Sequence, residues 1–478
     1  MDEQAIRRQL EKINQAHVLR FTEELDATGR KQLFTQLAGL DLENISDLAE
    51  TQVRHKQAIA LPQRIEPAQA YPRQPRGDQK QLYADARRRG EELLRQGKVG
   101  AFLVAGGQGT RLGYDGPKGE FPVTPVKNRP LFQVFAEQLS AHSRDAGQPI
   151  AWYIMTSDAN DAETRAFFAK NNHFGYDASN IYFFQQGMMP AFSMDGRMLL
   201  AAKDSLALSP DGHGGSLRAL DRSGALADMR ERGIEHLSYF QVDNPLVHTI
   251  DPLFIGLHDL TGSEMSSKTI PKAGPLERVG NFVMAEPPGD PNGPPVIQVI
   301  EYSDLPEELA KQTLADGTLR FNAGSIAIHV LRVSFIERLN KGGRLELPWH
   351  RAEKKVPYVD ERGNAIKPEQ PNAVKLEQFV FDAIPLAKNA IVYETERAEE
   401  FSPVKNAEGV DSPATSRRDQ IRRAARWLEQ AGVKVARKDG EPDAKLEISP
   451  LFATSGEQLQ TRQLPTREIK PGDVVYLS

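Results

Sequence analysis

The sequence of 478 residues contains no cysteine and has no surplus of basic residues. Without cysteine there is no disulfide, no thiolate zinc site, no iron–sulfur cluster and no cysteine nucleophile. The 60 Lys and Arg residues face 65 Asp and Glu, and the resulting net charge of −5 argues against a protein that binds nucleic acid through a basic surface. This balance still allows a local basic pocket for a small anionic substrate.

Long hydrophobic runs are also missing. No stretch approaches the roughly 18 unbroken apolar residues that a membrane span requires. Residues 1–4 read Met-Asp-Glu-Gln and the apolar residues after them are spaced, whereas a secretory signal has a basic start and a continuous apolar run. A soluble cytoplasmic protein without a membrane partner is therefore expected.

The length predicts about three domains, at roughly 150 residues each. Apolar residues near the start recur at helical spacing with charges between them: Ile6, Leu10, Ile13 and Leu19. The helical pattern continues to residue 48, the proline-rich residues 60–77 predict an extended connector, and a charged helix is expected over residues 79–96. Residues 1–98 are interpreted as a helical arm and strap that carries no chemistry.

From residue 99 onwards, short apolar runs alternate with helical patterns. The apolar runs cover residues 99–105, 151–156, 181–184 and 237–242. Helical patterns over residues 130–140 and 161–171 separate the first three runs. This alternation is typical of βαβ units and indicates an α/β core, residues 99–391, with a mixed, mainly parallel sheet. Residues 296–302 and 320–329 are expected as strands of an added mixed region.

The last part of the sequence has a different pattern. Beyond about residue 392 it is typical of short strands and turns, and it closes on an apolar run over residues 474–477. We expect residues 392–478 to form a small C-terminal α+β domain.

The most informative segment is a glycine-rich turn directly after the first apolar run of the core. Residues 106–113 read G-G-Q-G-T-R-L-G, and residues 117–119 read P-K-G. Leu112 stands where a dinucleotide fingerprint needs its last glycine, and neither a Walker loop nor a kinase loop fits. Glycines let backbone N–H groups approach an anion, and Arg111 and Lys118 add charge suited to phosphate oxygens. The segment is interpreted as a phosphate-binding site.

These two motifs resemble the signature of the sugar-nucleotide uridylyltransferases. Over nearly its whole length the sequence is similar to the eukaryotic-type UDP-N-acetylglucosamine pyrophosphorylases, with further matching segments at residues 17–25, 183–190, 210–215, 242–244, 321–325, 354–358, 379–382 and 401–406. The resemblance implies a Rossmann-like nucleotidyltransferase core. It also implies a reaction of UTP with N-acetyl-α-D-glucosamine 1-phosphate that gives UDP-N-acetylglucosamine and diphosphate.

In such a reaction a sugar phosphate oxygen attacks the α-phosphorus of UTP in line. The second pKa of a phosphomonoester is about 6, so the nucleophile is largely ionised at neutral pH and no general base is needed. Catalysis then depends on alignment and on neutralisation of phosphate charge. Arg111 and Lys118 are expected to bind the triphosphate together with Mg²⁺. The resemblance adds Lys405 at the phosphates and places Asp243, at a strand end, beside the metal.

The resemblance also implies positions for the uracil and the sugar. Gln186 and Gly212 match uracil-binding positions, where an amide can both donate and accept, and backbone contacts of Gly106 and Gly107 would complete the pocket. The positions that match sugar-binding residues are His213, Gly280, Glu301, Asn322, Phe379 and Phe381. On a strand the two phenylalanines would share one face, beside the N-acetyl group or, alternatively, in the core.

One residue departs from this pattern. Family members that use N-acetylhexosamine usually have Asn at the position of His213, and a His there is more usual in glucose-using relatives. A UDP-glucose or broad-range UDP-sugar pyrophosphorylase is therefore the alternative enzyme. A non-catalytic nucleotide-sugar sensor is the alternative of another class, and the intact Arg111, Lys118, Asp243 and Lys405 count against it. We expect UTP and a sugar 1-phosphate as partners, no nucleic acid, and a monomer or weak homodimer.

Overall fold

The computed structural model describes residues 2–55, 61–343, 345 and 347–478. The chain divides into two compact units, each discontinuous in sequence. The smaller unit comprises Met1–Leu61, Gln186–Arg218 and Leu345–Asp382, and the larger comprises Pro62–Gln185, Ala219–Arg344 and Ala383–Ser478. The division into residues 1–98, 99–391 and 392–478 stays a prediction. Residue 60, the first of the predicted connector, lies outside the described residues.

The larger unit is built on a sheet of eleven strands. In chain order these are Ile65–Pro67 (β1), Ala70–Tyr71 (β2), Val99–Val104 (β3), Trp152–Thr156 (β4), Ile181–Gln185 (β5), His236–Gln241 (β6), Met265–Pro271 (β7), Asn281–Ala285 (β8), Val296–Ile300 (β9), Ala323–Arg332 (β10) and Ala390–Glu394 (β11). The main path runs β2-β11-β7-β10-β6-β3-β4-β5, and β8 connects β1 and β9 to β10.

Most neighbouring strands on this path run parallel. Five of the seven pairs are parallel, and only β10 is antiparallel to both of its neighbours. β3 and β4 are buried along almost their entire length, as expected for parallel strands covered on both faces. The predicted α/β class with a mixed, mainly parallel sheet is confirmed. The four predicted core runs form β3 to β6, and residues 296–302 and 320–329 lie largely in β9 and β10.

The α-helices that fall wholly within the larger unit are Gln79–Arg95, Leu131–Ala146, Asp161–Lys170, Ala225–Arg232, Pro252–Leu260, Glu307–Ala310, Val333–Leu339, Arg397–Glu400, Pro413–Gln430 and Gly456–Gln460, and the helix Ser216–Arg222 has residues in both units. The predicted helices over residues 79–96, 130–140 and 161–171 are confirmed. Leu131–Ala146 and Asp161–Lys170 contribute Phe132, Phe135 and Phe168 to the core beside β3 and β4. In the described ranges, no helix is long and apolar enough to cross a membrane.

The C-terminal part contains both helices and short strands, as expected of an α+β region, but the residue pattern did not locate its long helix. An 18-residue helix, Pro413–Gln430, occupies a stretch that was expected to contain short strands and turns. Ser412 and Thr415 form a capping box at its start, and Trp427 and Leu428 bury its apolar side. The short strands that were expected follow it: Lys434–Val435, Arg437–Lys438, Glu441–Pro442, Lys445–Ile448, Glu468–Ile469 and Val474–Leu477. Five arginines in the helix obscured its narrow apolar stripe.

The smaller unit combines N-terminal helices with short antiparallel strands. Its α-helices are Glu3–Lys12, Ala27–Gly39 and Leu42–Leu48, and a π-helical segment Ala49–Arg54 follows the last. Its strands are Met188–Pro190, Phe192–Ser193, Leu200–Ala202, Ser205–Leu206, Leu208–Pro210, His350–Lys354, Tyr358–Val359, Ala365–Ile366 and Ala373–Glu377. Asp2 caps the first helix by accepting a hydrogen bond from the Ala5 N–H at 2.7 Å, and Ile6 and Leu10 are buried as the pattern predicted.

Candidate active site

The predicted phosphate site begins where β3 and β6 end. These two strands are parallel neighbours with Val104 opposite Gln241, and the Val242 N–H donates to the Val104 carbonyl at 3.1 Å. The glycine-rich turn that follows β3 and Asp243, which follows β6, therefore leave the sheet at the same edge. The carboxyl edge of parallel strands is where open α/β sheets bind ligands.

The two sequence motifs of this loop are hydrogen-bonded to each other. The Gly109 N–H donates to the Gly116 carbonyl at 2.9 Å, and the Lys118 N–H donates to the Gly107 carbonyl at 3.1 Å. Between them, Thr110–Leu112 forms a single 3-10 turn that carries the exposed Arg111. The P-K-G segment thus folds back onto the glycine turn, and this pairing fixes the position of Lys118 relative to Gly106 and Gly107.

Asn160 stabilises the same loop and was not predicted from the sequence. Its amide donates to the Ala105 carbonyl at 2.9 Å, while its side-chain oxygen accepts the Ser157 N–H at 2.8 Å. The residue is buried and is the N-cap position of the helix Asp161–Lys170. An Asn directly before a helical pattern was the available signal, but sequence alone gives such a residue only a capping role.

Lys118 is a buried cation without a carboxylate bonded to it. The residue is 8% exposed, and among the described residues its ammonium group has no hydrogen-bond partner. Burial lowers the pKa of Lys118; the charge of Asp243 opposes this, and the charges of Arg111 and Lys405 add to it. Three predicted cations and the predicted metal ligand therefore lie within electrostatic range of one another. Such a cluster is suited to bind an anion that neutralises it.

The segment that carries Lys405 is bonded to the end of β6. The Val404 N–H donates to the Asp243 carbonyl at 2.7 Å, and the Lys405 N–H donates to the Asp411 carbonyl at 2.7 Å. The Lys405 ammonium lies 5.8 Å from the centre of the Phe401 ring. More than 160 residues of sequence separate the two segments, so this juxtaposition could not be read from the sequence.

Carboxylates occur at two positions that could hold a metal ion. Among the described residues, one group of three potential ligands, His248, Asp251 and Glu400, has its ligand atoms within 4.8 Å of one another. The Lys268 ammonium occupies this group, 2.6 Å from Asp251 and 2.6 Å from Glu400, so the group is an ion cluster and does not suit a metal. Asp243 offers one carboxylate beside cations, which fits a Mg²⁺ that takes its remaining ligands from phosphates and water.

The predicted sugar residues of the larger unit lie on and around β8 and β10. A Cβ atom on Gly280 would lie 2.6 Å from Val299 and 3.3 Å from the Glu301 carboxylate, so only glycine allows this close approach. Asn322 lies at the start of β10, where its side-chain oxygen accepts the Lys272 N–H at 2.9 Å. Lys272 was not singled out from the sequence. It is buried, and its ammonium donates to Asn281 at 2.7 Å.

In the smaller unit, Gln186 and Gly212 are directly bonded. The Gln186 amide donates to the Gly212 carbonyl at 2.8 Å, which fixes the side chain and leaves its oxygen and second N–H for a ligand. Gly212 has a φ of 86°, and a Cβ there would lie 2.3 Å from the Gln378 carbonyl. Both the left-handed conformation and the close approach therefore require glycine.

His213, Phe379 and Phe381 form one aromatic group, but the two phenylalanines do not lie on a strand. The strand ends at Glu377, and a 3-10 helix runs from Val380 to Leu386. The expectation that the rings share a strand face is wrong, because the chain turns there as the Gln378 N–H and carbonyl bond to Asp211 and Gly214. The rings nonetheless converge: the His213 ring centre is 5.2 Å from that of Phe379 and 5.8 Å from that of Phe381.

The protonation of His213 follows from its surroundings. The Val380 N–H donates to Nδ1 at 3.1 Å, so the neutral ring carries its proton on Nε2. Burial lowers the pKa of His213 to about 4, and the neighbouring charge of His350 adds to the effect. His213 is therefore a neutral hydrogen-bond donor at physiological pH.

Similarity to known proteins covers both units. A family model described as UTP–glucose-1-phosphate uridylyltransferase matches residues 46–411. The chain is 38% identical to the UDP-N-acetylhexosamine pyrophosphorylase-like protein 1 of Homo sapiens, over 96% of this chain and 94% of that protein. It is 39% identical to the UDP-N-acetylglucosamine pyrophosphorylase of Saccharomyces cerevisiae, over 78% and 77% of the two chains.

Solved structures agree with the sequence relatives. The uridine diphosphate N-acetylglucosamine pyrophosphorylase of Trypanosoma brucei, solved in complex with an inhibitor, superposes with a TM-score of 0.82 at 27% identity, over 100% of this chain and 98% of that one. The UDP-glucose pyrophosphorylase structures of Leishmania major superpose with a TM-score of about 0.6 at under 20% identity, which shows a shared fold. The chain therefore belongs to the UTP–glucose-1-phosphate uridylyltransferase family.

Proposed function

We propose that this protein transfers the uridylyl group of UTP to N-acetyl-α-D-glucosamine 1-phosphate and releases diphosphate. The observation that carries the proposal is the buried charge of Lys118, which has no bonded carboxylate among the described residues and has Arg111, Lys405 and Asp243 near it where β3 and β6 end. A cluster of cations with too few anions of its own is matched to a ligand that brings several negative charges. The relatives named as UDP-N-acetylglucosamine pyrophosphorylases support the choice of reaction.

The reaction needs positioned charges more than it needs proton transfer. The attacking oxygen belongs to a phosphate that is already ionised at neutral pH, so the chain has to align it with the α-phosphorus and neutralise the leaving diphosphate. Lys118, Arg111 and Lys405 neutralise phosphate charge as it moves towards the diphosphate, while the backbone of Gly106 and Gly107 lets the nucleotide approach closely. Fixed cations of this kind stabilise the transition state without reorganising.

Asp243 is the residue that would hold Mg²⁺. Its carboxylate is a hard oxygen ligand, and Mg²⁺ characteristically combines one or two carboxylates with phosphate oxygens. When bound, the ion supplies Lewis acidity to the phosphate oxygens. The hydrogen bond from Val404 to the Asp243 carbonyl restrains the backbone at this position, so the carboxylate is held near the end of β6.

The smaller unit supplies neutral groups suited to the uracil and the sugar. The restrained amide of Gln186 can pair with the uracil edge, and the Gly212 backbone leaves room for the base. His213 can donate from Nε2 to a sugar or acetyl oxygen, beside the apolar rings of Phe379 and Phe381. In the larger unit, Gly280, Glu301 and Asn322 are the proposed partners of the sugar hydroxyls.

A second candidate is a UDP-glucose or broad-range UDP-sugar pyrophosphorylase. The neutral donor at His213 favours this second candidate, because the single N–H of the ring can donate a hydrogen bond to a hydroxyl oxygen as well as to an acetyl carbonyl. An asparagine would provide both a donor and an acceptor. The substrate preference between N-acetylglucosamine and glucose 1-phosphate therefore depends on this position.

Diphosphate release from UTP, measured with Mg²⁺ and a panel of sugar 1-phosphates, tests the proposal. We expect N-acetylglucosamine 1-phosphate to support the highest kcat/KM, and the variant Lys118→Ala to lose most of it. A His213→Asn variant should change the ratio between N-acetylglucosamine and glucose 1-phosphate. If none of the sugar phosphates in the panel supports diphosphate release, the enzyme proposal is overturned and a nucleotide-sugar sensor is favoured.

A further inference from the structure

The ion cluster that resembled a metal site lies next to the segment that carries Lys405. Lys268, on β7, donates to Asp251 at 2.6 Å and to both Glu400 oxygens at 2.6 and 2.7 Å. Lys268 and Glu400 are each only 1% exposed. The Thr395 hydroxyl adds a further bond to Glu400 at 2.5 Å. A fully bonded, buried cluster of this kind fixes Glu400 relative to the sheet.

Three consecutive tethers lead from Glu400 to the candidate active site. The Asn244 amide donates to the Glu400 carbonyl at 2.6 Å, and the Ser402 N–H donates back to the Asn244 oxygen at 3.1 Å. The Val404 N–H then donates to the Asp243 carbonyl at 2.7 Å. Residues 400, 402 and 404 are therefore held along residues 243–244, and Lys405 is the next residue.

We propose that Lys268 and Glu400 are positioning residues that hold Lys405 and Asp243 at the positions required for phosphate binding; this inference rests on the proposed function. Neither residue has to touch the substrate. Their ion pair fixes one end of the 400–405 segment, and the hydrogen bonds from Asn244, Ser402 and Val404 carry that restraint to the two functional residues. A displacement of a catalytic group by about 1 Å can cost as much as 10²-fold in rate, so such a restraint has a measurable effect.

Hydrogen exchange tests the restraint without using the reaction. In a Glu400→Gln variant we expect faster exchange at the amides of Ser402 and Val404, because the cluster restrains the segment that carries these two amides. Asp259→Asn is the matched control. Asp259 also bonds to two cations, the partly exposed Arg89 at 2.8 Å and Arg332 at 3.0 Å, but it lies near His236, where β6 begins. Equal exchange at Val404 in the wild type and Glu400→Gln would overturn the inference.

A double-mutant cycle tests whether the restraint acts through Lys405. In the direction that consumes UDP-N-acetylglucosamine and diphosphate, Glu400→Gln should lower kcat/KM for diphosphate about tenfold when Lys405 is present, and should have a clearly smaller effect in a Lys405→Ala background, where only the restraint on Asp243 is left to lose. If Glu400→Gln lowers kcat/KM by the same factor in both backgrounds, its role is a general structural one and the inference is overturned. Thr395→Val, which keeps the ion pair, provides the same cycle if Glu400→Gln does not fold. If the wild-type protein is inactive, the proposed function is contradicted. The hydrogen-exchange experiment does not depend on activity and therefore still tests whether the cluster restrains residues 400–405.

Discussion

Lys118 and Lys268 are both buried lysines of the larger unit, but their surroundings are opposite. Lys268 is bonded to two carboxylates, and although its burial acts to lower the pKa, the charges of Asp251 and Glu400 raise it above the ordinary value. Lys118 has no such partner among the described residues, and burial lowers its pKa. The charge of Lys268 is neutralised within the chain, whereas the charge of Lys118 requires a bound anion to neutralise it.

The comparison gives a criterion for separating structural from functional charges. A buried charge that is fully paired within the chain stabilises the fold, and its removal leaves the partners unpaired. A buried charge that faces other cations is retained at a cost to stability, and ligand binding is the physical reason to retain it. Lys272 is intermediate, because it bonds to the neutral Asn281 and lies beside Asn322.

The largest effect is expected at Lys118. Replacing it in Lys118→Met keeps most of the apolar stem and removes the charge, so we expect kcat/KM to fall by about 10³-fold, in line with the loss of a transition-state charge contact. The free energy of unfolding should stay equal or rise, because an unpaired buried charge is removed. Steady-state kinetics and urea unfolding measure the two quantities. A large loss of stability would show that Lys118 resembles Lys268.

The reverse result is expected at Lys268. The variant Lys268→Met leaves Asp251 and Glu400 buried without their cation, and breaking a buried pair in this way typically costs about 3–5 kcal/mol. Urea unfolding, monitored by fluorescence, should show this loss as a lower midpoint at an unchanged slope. The matched variant Lys118→Met, unfolded in parallel, is the control. An unchanged midpoint for Lys268→Met would contradict the structural role of the cluster.

A smaller effect is expected at the carboxylate of the cation cluster. In Asp243→Asn the side chain keeps its shape but loses its charge, so the Mg²⁺ concentration that gives half-maximal activity should rise about tenfold or more. A Mg²⁺ titration of diphosphate release measures this. Asp259→Asn serves as the comparison, because that carboxylate is bonded to Arg89 and Arg332 and lies near His236, where β6 begins, so its loss should leave the Mg²⁺ requirement unchanged. Equal Mg²⁺ curves for wild type and Asp243→Asn would exclude Asp243 as the ligand.

The smallest effect concerns a partly buried base, His213, whose pKa, like that of Lys118, is shifted in favour of the neutral form. Burial lowers the pKa of His213 to about 4, below its ordinary value of 6.5. Below pH 6.5 the unfolded chain therefore binds a proton that the folded chain does not, and stability falls as the pH drops from about 6.5 to about 4. In His213→Asn this part of the pH dependence should disappear. Thermal unfolding across this range measures the difference, and identical slopes would contradict it.

Much of the core could be predicted from the sequence because its signals are local. The apolar runs that became β3 to β6 are continuous and end in glycine or polar residues, and the G-G-Q-G-T-R-L-G and P-K-G motifs are short. The helix Pro413–Gln430 was missed because its many arginines lower the apolar content and its buried stripe is narrow. The Phe379–Phe381 spacing suggested a strand because alternation is ambiguous over three residues.

The roles of Asn160 and Lys272 could not be predicted from the sequence, for a different reason. Asn160 bonds to the carbonyl of Ala105, 55 residues away. Lys272 donates from its ammonium to Asn281 and from its backbone N–H to Asn322, 50 residues away. Isolated polar residues of these types are common on protein surfaces, so neither had a distinguishing local pattern.

The sequence by itself determined the α/β class, the family resemblance and the positions of the charged residues suited to phosphate, because these depend on local order and residue type. The P-K-G motif singled out Lys118, but the sequence could not show that Lys118 is buried without a bonded carboxylate or that Lys268 is buried and neutralised within the chain. Only the tertiary structure decided that Asp251 and Glu400 neutralise one of them, while Arg111, Lys405 and Asp243 surround the other. The physical reason is that the free energy of a buried charge depends on the groups packed around it, and the fold brings those groups together from distant parts of the chain.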